Sequence, residues 1–154
     1  MSDWKRQTKE ISMEALPADT REAMERHIGQ YNLGPILLDS LMCVQTDSEK
    51  VKKGLFGKSE IVQMTAIVTP HWLLWTVDQP NKHPTVLSAQ LIHITVQDYS
   101  QTPFAKMVPD SGVEVSGMFT DASEAASAFI GLDESVAGQK FRQTLVRAAA
   151  DAKK

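Results

Sequence analysis

The stretch Glu60-Ile61-Val62-Gln63-Met64-Thr65-Ala66-Ile67-Val68-Thr69-Pro70-His71-Trp72-Leu73-Leu74-Trp75-Thr76-Val77-Asp78-Gln79 reads as two apolar strands folded at a Thr-Pro-His corner. Ile61, Val62, Thr65, Ile67, Val68 and Thr69 are β-branched, a composition that suits a pleated, packed surface. After the Pro70-His71 corner, Trp72 to Val77 continues as the hairpin partner. Trp72 and Trp75 fall on opposite faces of that strand by alternation. One belongs to the core, and the other lies at the rim or under an N-terminal helix.

Outward from this pair the texture stays β. Leu41 to Lys53 is a strand upstream, broken by the Gly54-Leu55-Phe56-Gly57 turn. Downstream, Asp78 to Lys82 is a polar turn, followed by strands at Thr85 to Ala89 and Leu91 to Tyr99. In the latter, Ile92, Ile94 and Val96 alternate with His93, Thr95 and Gln97. Ser100 to Gly112 holds Pro103, Pro109 and Gly112 and reads as a loop. Val113 to Gly117 and Ala126 to Ile130 are two more strands, separated by a turn at Thr120 to Glu124. The chain closes on an amphipathic helix over Leu132 to Asp151, with Asp133 as its cap and Glu134 favoured by the dipole. Ala137, Phe141, Thr144, Leu145 and Ala148 form its core stripe. Arg142, Arg147, Lys153 and Lys154 read as cations gathered toward its C-terminal end. Gly138 should weaken the helix by about 1 kcal/mol against Ala.

Before the strands, Trp4, Thr8, Ile11 and Ala15 share one helical face, which suggests a short helix or a docked arm. Pro17 then opens a second helix through Tyr31, with Met24, Ile28 and Tyr31 on its apolar stripe. Asn32-Leu33-Gly34-Pro35 stops it. The expected architecture is mainly β (α+β): a seven-stranded antiparallel barrel or curved sheet, helix-capped, over residues 36–154. A helical extension over 1–35 precedes it.

The 154 residues suit one domain, and 42% hydrophobic with 23% charged residues is the balance of a globular protein with a real core. A formal net charge of -3 gives no global pull toward nucleic acid or an anionic surface, so nucleic acid is not an expected partner. Cys43 is the only cysteine, which excludes an internal disulfide and fits a reducing compartment. No secretory signal or membrane-spanning run is evident, so a cytoplasmic location is the expectation.

About seven strands followed by one helix is the order of a barrel that cannot close itself unaided. With it, Ile67 to Trp75 resembles the strand, turn and strand of the pleckstrin-homology-like (PH-like) family, in particular its small bacterial domains. Gly112 to Gly117 and Ser127 to Leu132 look like that family's last two strands, and Ala137 to Ala148 is similar to its capping helix. The resemblance covers Leu41 to the C-terminus. It implies a non-enzymatic module that holds lipid headgroups, peptides or partner proteins; the fold alone does not choose among them.

Two candidate surfaces follow. Lys50, Lys52, Lys53 and Lys58 surround a Leu55-Phe56 tip, a pattern able to grip an anionic headgroup while two apolar side chains dip into the interface. No arginine offers bidentate phosphate contact there, and Glu49 and Glu60 flank it, so lysines guarding an edge strand are the plainer reading. Trp72, Met24, Ile28 and Tyr31 form a possible interaction surface, either packed in cis or buried against a partner or a second copy. His27, His71, His83 and His93 lack metal-ligand spacing, so no metal or cofactor is implied. Gly54 to Ser59 ends in Gly-Lys-Ser but lacks the spacing and the strand-to-helix context of a phosphate loop. Asp98, Asp110, Glu114 and Asp121 are scattered around predicted loops, and only the accident of folding would bring them together. The alternative class, a carrier or small barrel enzyme, requires a pocket with convergent polar groups.

Overall fold

The computed structural model describes residues 3–51 and 59–154. Among these, eight strands and two α-helices are joined by turns and four short 3-10 segments. In order they are β1 (Trp4–Glu10), α1 (Ala18–Tyr31), β2 (Met42–Val51), β3 (Ser59–Val68), β4 (Trp72–Asp78), β5 (Thr85–Gln90), β6 (Ile94–Asp98), β7 (Gly112–Gly117), β8 (Ala126–Gly131) and α2 (Val136–Ala152). All pairings are antiparallel, in a five-stranded sheet β1-β2-β3-β4-β5 and a three-stranded sheet β6-β7-β8.

The Thr69-Pro70-His71 corner forms as its sequence suggests. The Thr69 hydroxyl oxygen accepts from the backbone N–H of Trp72 at 2.9 Å and of His71 at 3.2 Å. Such a side-chain cap satisfies donors that a tight turn would leave open. The strands it joins are continuous apolar runs because both faces of their sheet are covered. Met64, Ala66 and Val68 of β3, with Leu73 and Trp75 of β4, enter a first core between the two sheets and α2. Ile67 and Leu74 point the other way, into a second core with Leu16, Met24, Leu33, Ile36 and Cys43. α1 roofs that second core. α2 closes the first, with Phe141 and Leu145 fully buried among residues of both sheets.

Four expectations are corrected. Residues 4–10 form strand β1, paired with β2 from Trp4↔Lys50 to Glu10↔Val44, so the first segment is not helical and eight strands replace seven. Its burial alternates: Trp4, Arg6 and Thr8 face inward while Lys5, Gln7 and Lys9 are exposed. A spacing of four fits period 3.6 and period two alike, and the inward Arg6 hides the strand pattern. Second, the strand expected over Leu91 to Tyr99 begins only at Ile94. A 3-10 turn at Leu91–His93 carries the chain from one sheet to the next.

Third, the α2 N-cap is Ser135, whose hydroxyl accepts from Gly138 N–H, while Asp133 braces the turn before it by accepting from Ser135. Fourth, Gly138 is a fitted residue: an added Cβ would lie 2.1 Å from the Asp133 carbonyl oxygen. α1 begins and ends as expected, with Pro17 at its N-cap and Asn32 left-handed (φ 54°) at its C-cap.

Candidate functional site

The basic hairpin is represented by Lys50 alone. It lies at the penultimate position of β2 opposite Trp4, its ammonium 5.9 Å from the indole centroid. Lys52, Lys53, Leu55, Phe56 and Lys58 lie outside the described residues.

Met24, Ile28, Tyr31 and Trp72 are brought together, as an internal contact. Met24 is fully buried, and the other three pack half-buried against the second core. α1 therefore docks its apolar stripe on the sheet of its own chain. Trp75 is the core tryptophan, meeting Phe119 edge-on at 5.4 Å. Of the scattered acids, Asp98 pairs with Arg142 and Asp110 with Arg6. Tyr31 donates to Asp121, and Ser116 donates to Glu114.

Along the edge of α1 lies a polar network that no sequence spacing announced. His27 Nε2 meets the buried Ser88 hydroxyl at 2.8 Å, and Ser88 in turn meets Thr120 Oγ1 at 2.7 Å. One turn on, Tyr31 donates to the Asp121 carboxylate at 3.0 Å, its ring 4.8 Å from the His27 imidazole. Asp121 holds φ 63°, a left-handed conformation uncommon for a non-glycine residue. Burial lowers the His27 pKa, and the hydrogen bond to Asp121 raises that of Tyr31. A cleft of about 380 Å³ runs beside these groups, lined in part by Arg26, Gln30 and Leu87. Ser88 is only 1% exposed, so its hydroxyl serves as a strut; a nucleophile needs access to its substrate.

The opposite seam, where β1 meets β8, is organised by two arginines. Arg6 makes a bidentate pair with Asp110 at 2.8 and 2.7 Å and donates to Ser48 at 2.6 Å. Its guanidinium stacks near the Trp4 and Phe129 rings and lies against Gly131, where an added Cβ would be 2.5 Å from it. Arg142 lies early in α2 and faces inward, contrary to the expectation of a C-terminal cation. It donates to the carbonyls of Asp133 and Leu132 and to Ser111, and pairs with Asp98. Thr8 and Asp133 exchange two hydrogen bonds, at 2.8 and 2.9 Å, across the same gap. Planar, always-charged guanidinium suits such multiple acceptors.

From this seam projects the β6–β7 loop. Phe104, Met107 and Val108 are 62%, 81% and 62% exposed, the only such trio within five residues among the described large apolar side chains. The loop is braced. Asp98 accepts from Ser100, Thr102 donates to the Tyr99 carbonyl at 2.8 Å, and the Tyr99 hydroxyl donates to the Val108 carbonyl at 2.5 Å. The Tyr99 ring meets Phe129 edge-on at 5.2 Å. The signal available in sequence was an apolar run bracketed by Pro103 and Pro109, outside any strand or helix period.

Cys43 is buried in the second core. Burial, and secondarily the charge of Glu10, pushes its thiol up to about 12, so it is protonated and unreactive at neutral pH. No described helix is long and apolar enough to cross a membrane. Comparison with known proteins finds no matching family model, no matching curated relative and no matching solved structure.

Proposed function

We propose that the protein is a non-enzymatic docking module of PH-like fold that binds a protein or peptide on its outer surface. The order of elements supports the family reading. β2 to β5 form one sheet segment and β6 to β8 a second sheet, and α2 follows as the plug, with β1 and α1 added in front. The observation that carries the functional reading is the filled interior. Trp75, Phe141, Leu73, Leu91, Ile94, Ile130 and Leu145 are buried against one another where a carrier or barrel enzyme would keep its cavity. The polar groups at His27 and at the two arginines are hydrogen-bonded among themselves and face outward or into seams.

The test is a selection of displayed random peptides on the full chain, followed by calorimetric titration of an enriched sequence and native mass spectrometry of the purified protein. An enriched peptide that titrates with one-to-one stoichiometry supports the reading. A small molecule retained in the native spectrum, or no enriched peptide, overturns it. Salt-sensitive binding to anionic vesicles, lost when Lys52, Lys53 and Lys58 become Ala, would favour the hairpin as a headgroup site instead.

A further inference from the structure

We infer that the β6–β7 loop is a membrane-contact knob whose Phe104, Met107 and Val108 enter the headgroup–acyl boundary of a lipid bilayer, with Lys106 at the phosphate level. This goes beyond the docking reading and involves different residues. Large apolar side chains on a soluble surface are ordinary singly, but three within five residues form a patch that marks a contact site. Exposed to this degree they face open solvent, and a counterpart for them must be a socket or a fluid.

Three observations favour the fluid. The first is area. A tip of five residues falls well short of the roughly 800 Å² per partner that a stable protein interface covers, whereas a bilayer asks only for apolar depth. The second is the backbone. Pro103 and Pro109 carry no N–H, Ala105 donates to the Thr102 carbonyl, and Met107 and Val108 donate to that of Phe104. The Val108 carbonyl is taken by Tyr99. Peptide groups already paired within the turn lower the cost of leaving water.

The third is charge. Lys106 is the single charged side chain between Pro103 and Pro109, is exposed, and has no ion-pair partner among the described residues. Its stem can lie along the apolar patch while the ammonium meets a lipid phosphate. At the loop's base, Asp98 and Asp110 are neutralised by Arg142 and Arg6. A phosphate of zwitterionic lipid suffices for such a site, and anionic lipid should add little.

The experiment uses the full chain and vesicles of phosphatidylcholine, with and without phosphatidylglycerol, read by co-sedimentation. The native protein should pellet with both, and the Phe104→Ser/Met107→Ser variant should bind roughly tenfold more weakly. Because both residues face water, its urea midpoint should match the native one. Val108→Trp should shift its added emission to the blue on vesicle addition and be quenched by brominated acyl chains. The inference is overturned if the native chain pellets with neither vesicle, or if the double variant binds as the native does. It is equally overturned if the double variant instead abolishes a concentration-dependent self-association, which would make the knob a contact with a second copy. Failure here leaves the peptide selection untouched, since that readout contains no lipid.

Discussion

α2 and α1 both lay an apolar stripe on the five-stranded sheet, yet they do different work. α2 enters the space between two sheets: Phe141 and Leu145 are fully buried, and Ala148, Ala149 and Arg142 are buried beside them. α1 covers one outer face, with Thr20 and Met24 its fully covered residues and the rest half-buried or exposed. The polar ties differ as well. Arg142 reaches Asp133, Leu132, Ser111 and Asp98 around the β6–β8 sheet, and α1 is held through His27 to Ser88 of β5 and through Tyr31 to Asp121 in the β7–β8 turn. A helix shared by two sheets belongs to the global core, and a helix lying on one sheet is a candidate for separate opening.

The largest effect should come from Phe141→Ala, which leaves a cavity at the meeting point of both sheets and should cost about 4 kcal/mol of unfolding free energy in urea titration. Amide protection should fall throughout the molecule. Met24→Ala empties a comparable volume in the second core, at about 3 kcal/mol, but protection should fall first and furthest in α1. Equal loss across all elements in both variants would erase the distinction drawn between the helices. Next in size is the seam. Asp110→Ala strands the Arg6 guanidinium, whose side chain is 8% exposed, and should cost about 3 kcal/mol. Arg6→Met together with Asp110→Ala should recover most of that, because the penalty comes from an unpaired charge. If the double variant is as unstable as the single, the pair contributes through its own geometry.

The strands from 42 to 98 and the closing helix were legible because burial on both faces, or on one broad stripe, leaves β-branched runs and a 3.6-residue period. What escaped notice escaped for physical reasons. β1 carries an arginine at an inward position, and a stacked, ion-paired guanidinium looks solvated when only its charge is read. Arg142 misleads for the same reason: its position on the wheel is that of a core residue, its side chain that of a surface one. Gly138 reads as a flaw in a helix, whereas the Asp133 carbonyl occupies the place of its side chain. The His27–Ser88–Thr120 network joins residues 61 and 32 positions apart, which no local spacing encodes. The apolar trio at 104–108 was visible as residues but not as a surface. Exposure is a tertiary property, and a loop has no period from which to infer it.

The smallest effect separates the two regions by pH. His27 sits at the α1–sheet contact, and burial lowers its pKa below the ordinary 6.5. The undocked or unfolded chain therefore takes up a proton more readily, so docking of α1 is at full strength above about pH 6.5 and weakens as pH falls below it. Asp133, at the β1–α2 seam, behaves differently. Burial opposes its ionisation, but hydrogen bonds from Ser135 and Thr8 outweigh that, and its pKa is lowered from 3.8. Its contribution is present above that value and is lost only in stronger acid. Hydrogen exchange followed from neutral pH downward should thus show α1 losing protection in mild acid, with α2 and β1 following in a second, more acidic window. Replacing His27 by Gln keeps a hydrogen bond to Ser88 while removing the titration, and should flatten the first window without moving the second. If α1 still loosens in mild acid in that variant, the covered imidazole is not what ties the helix to its sheet.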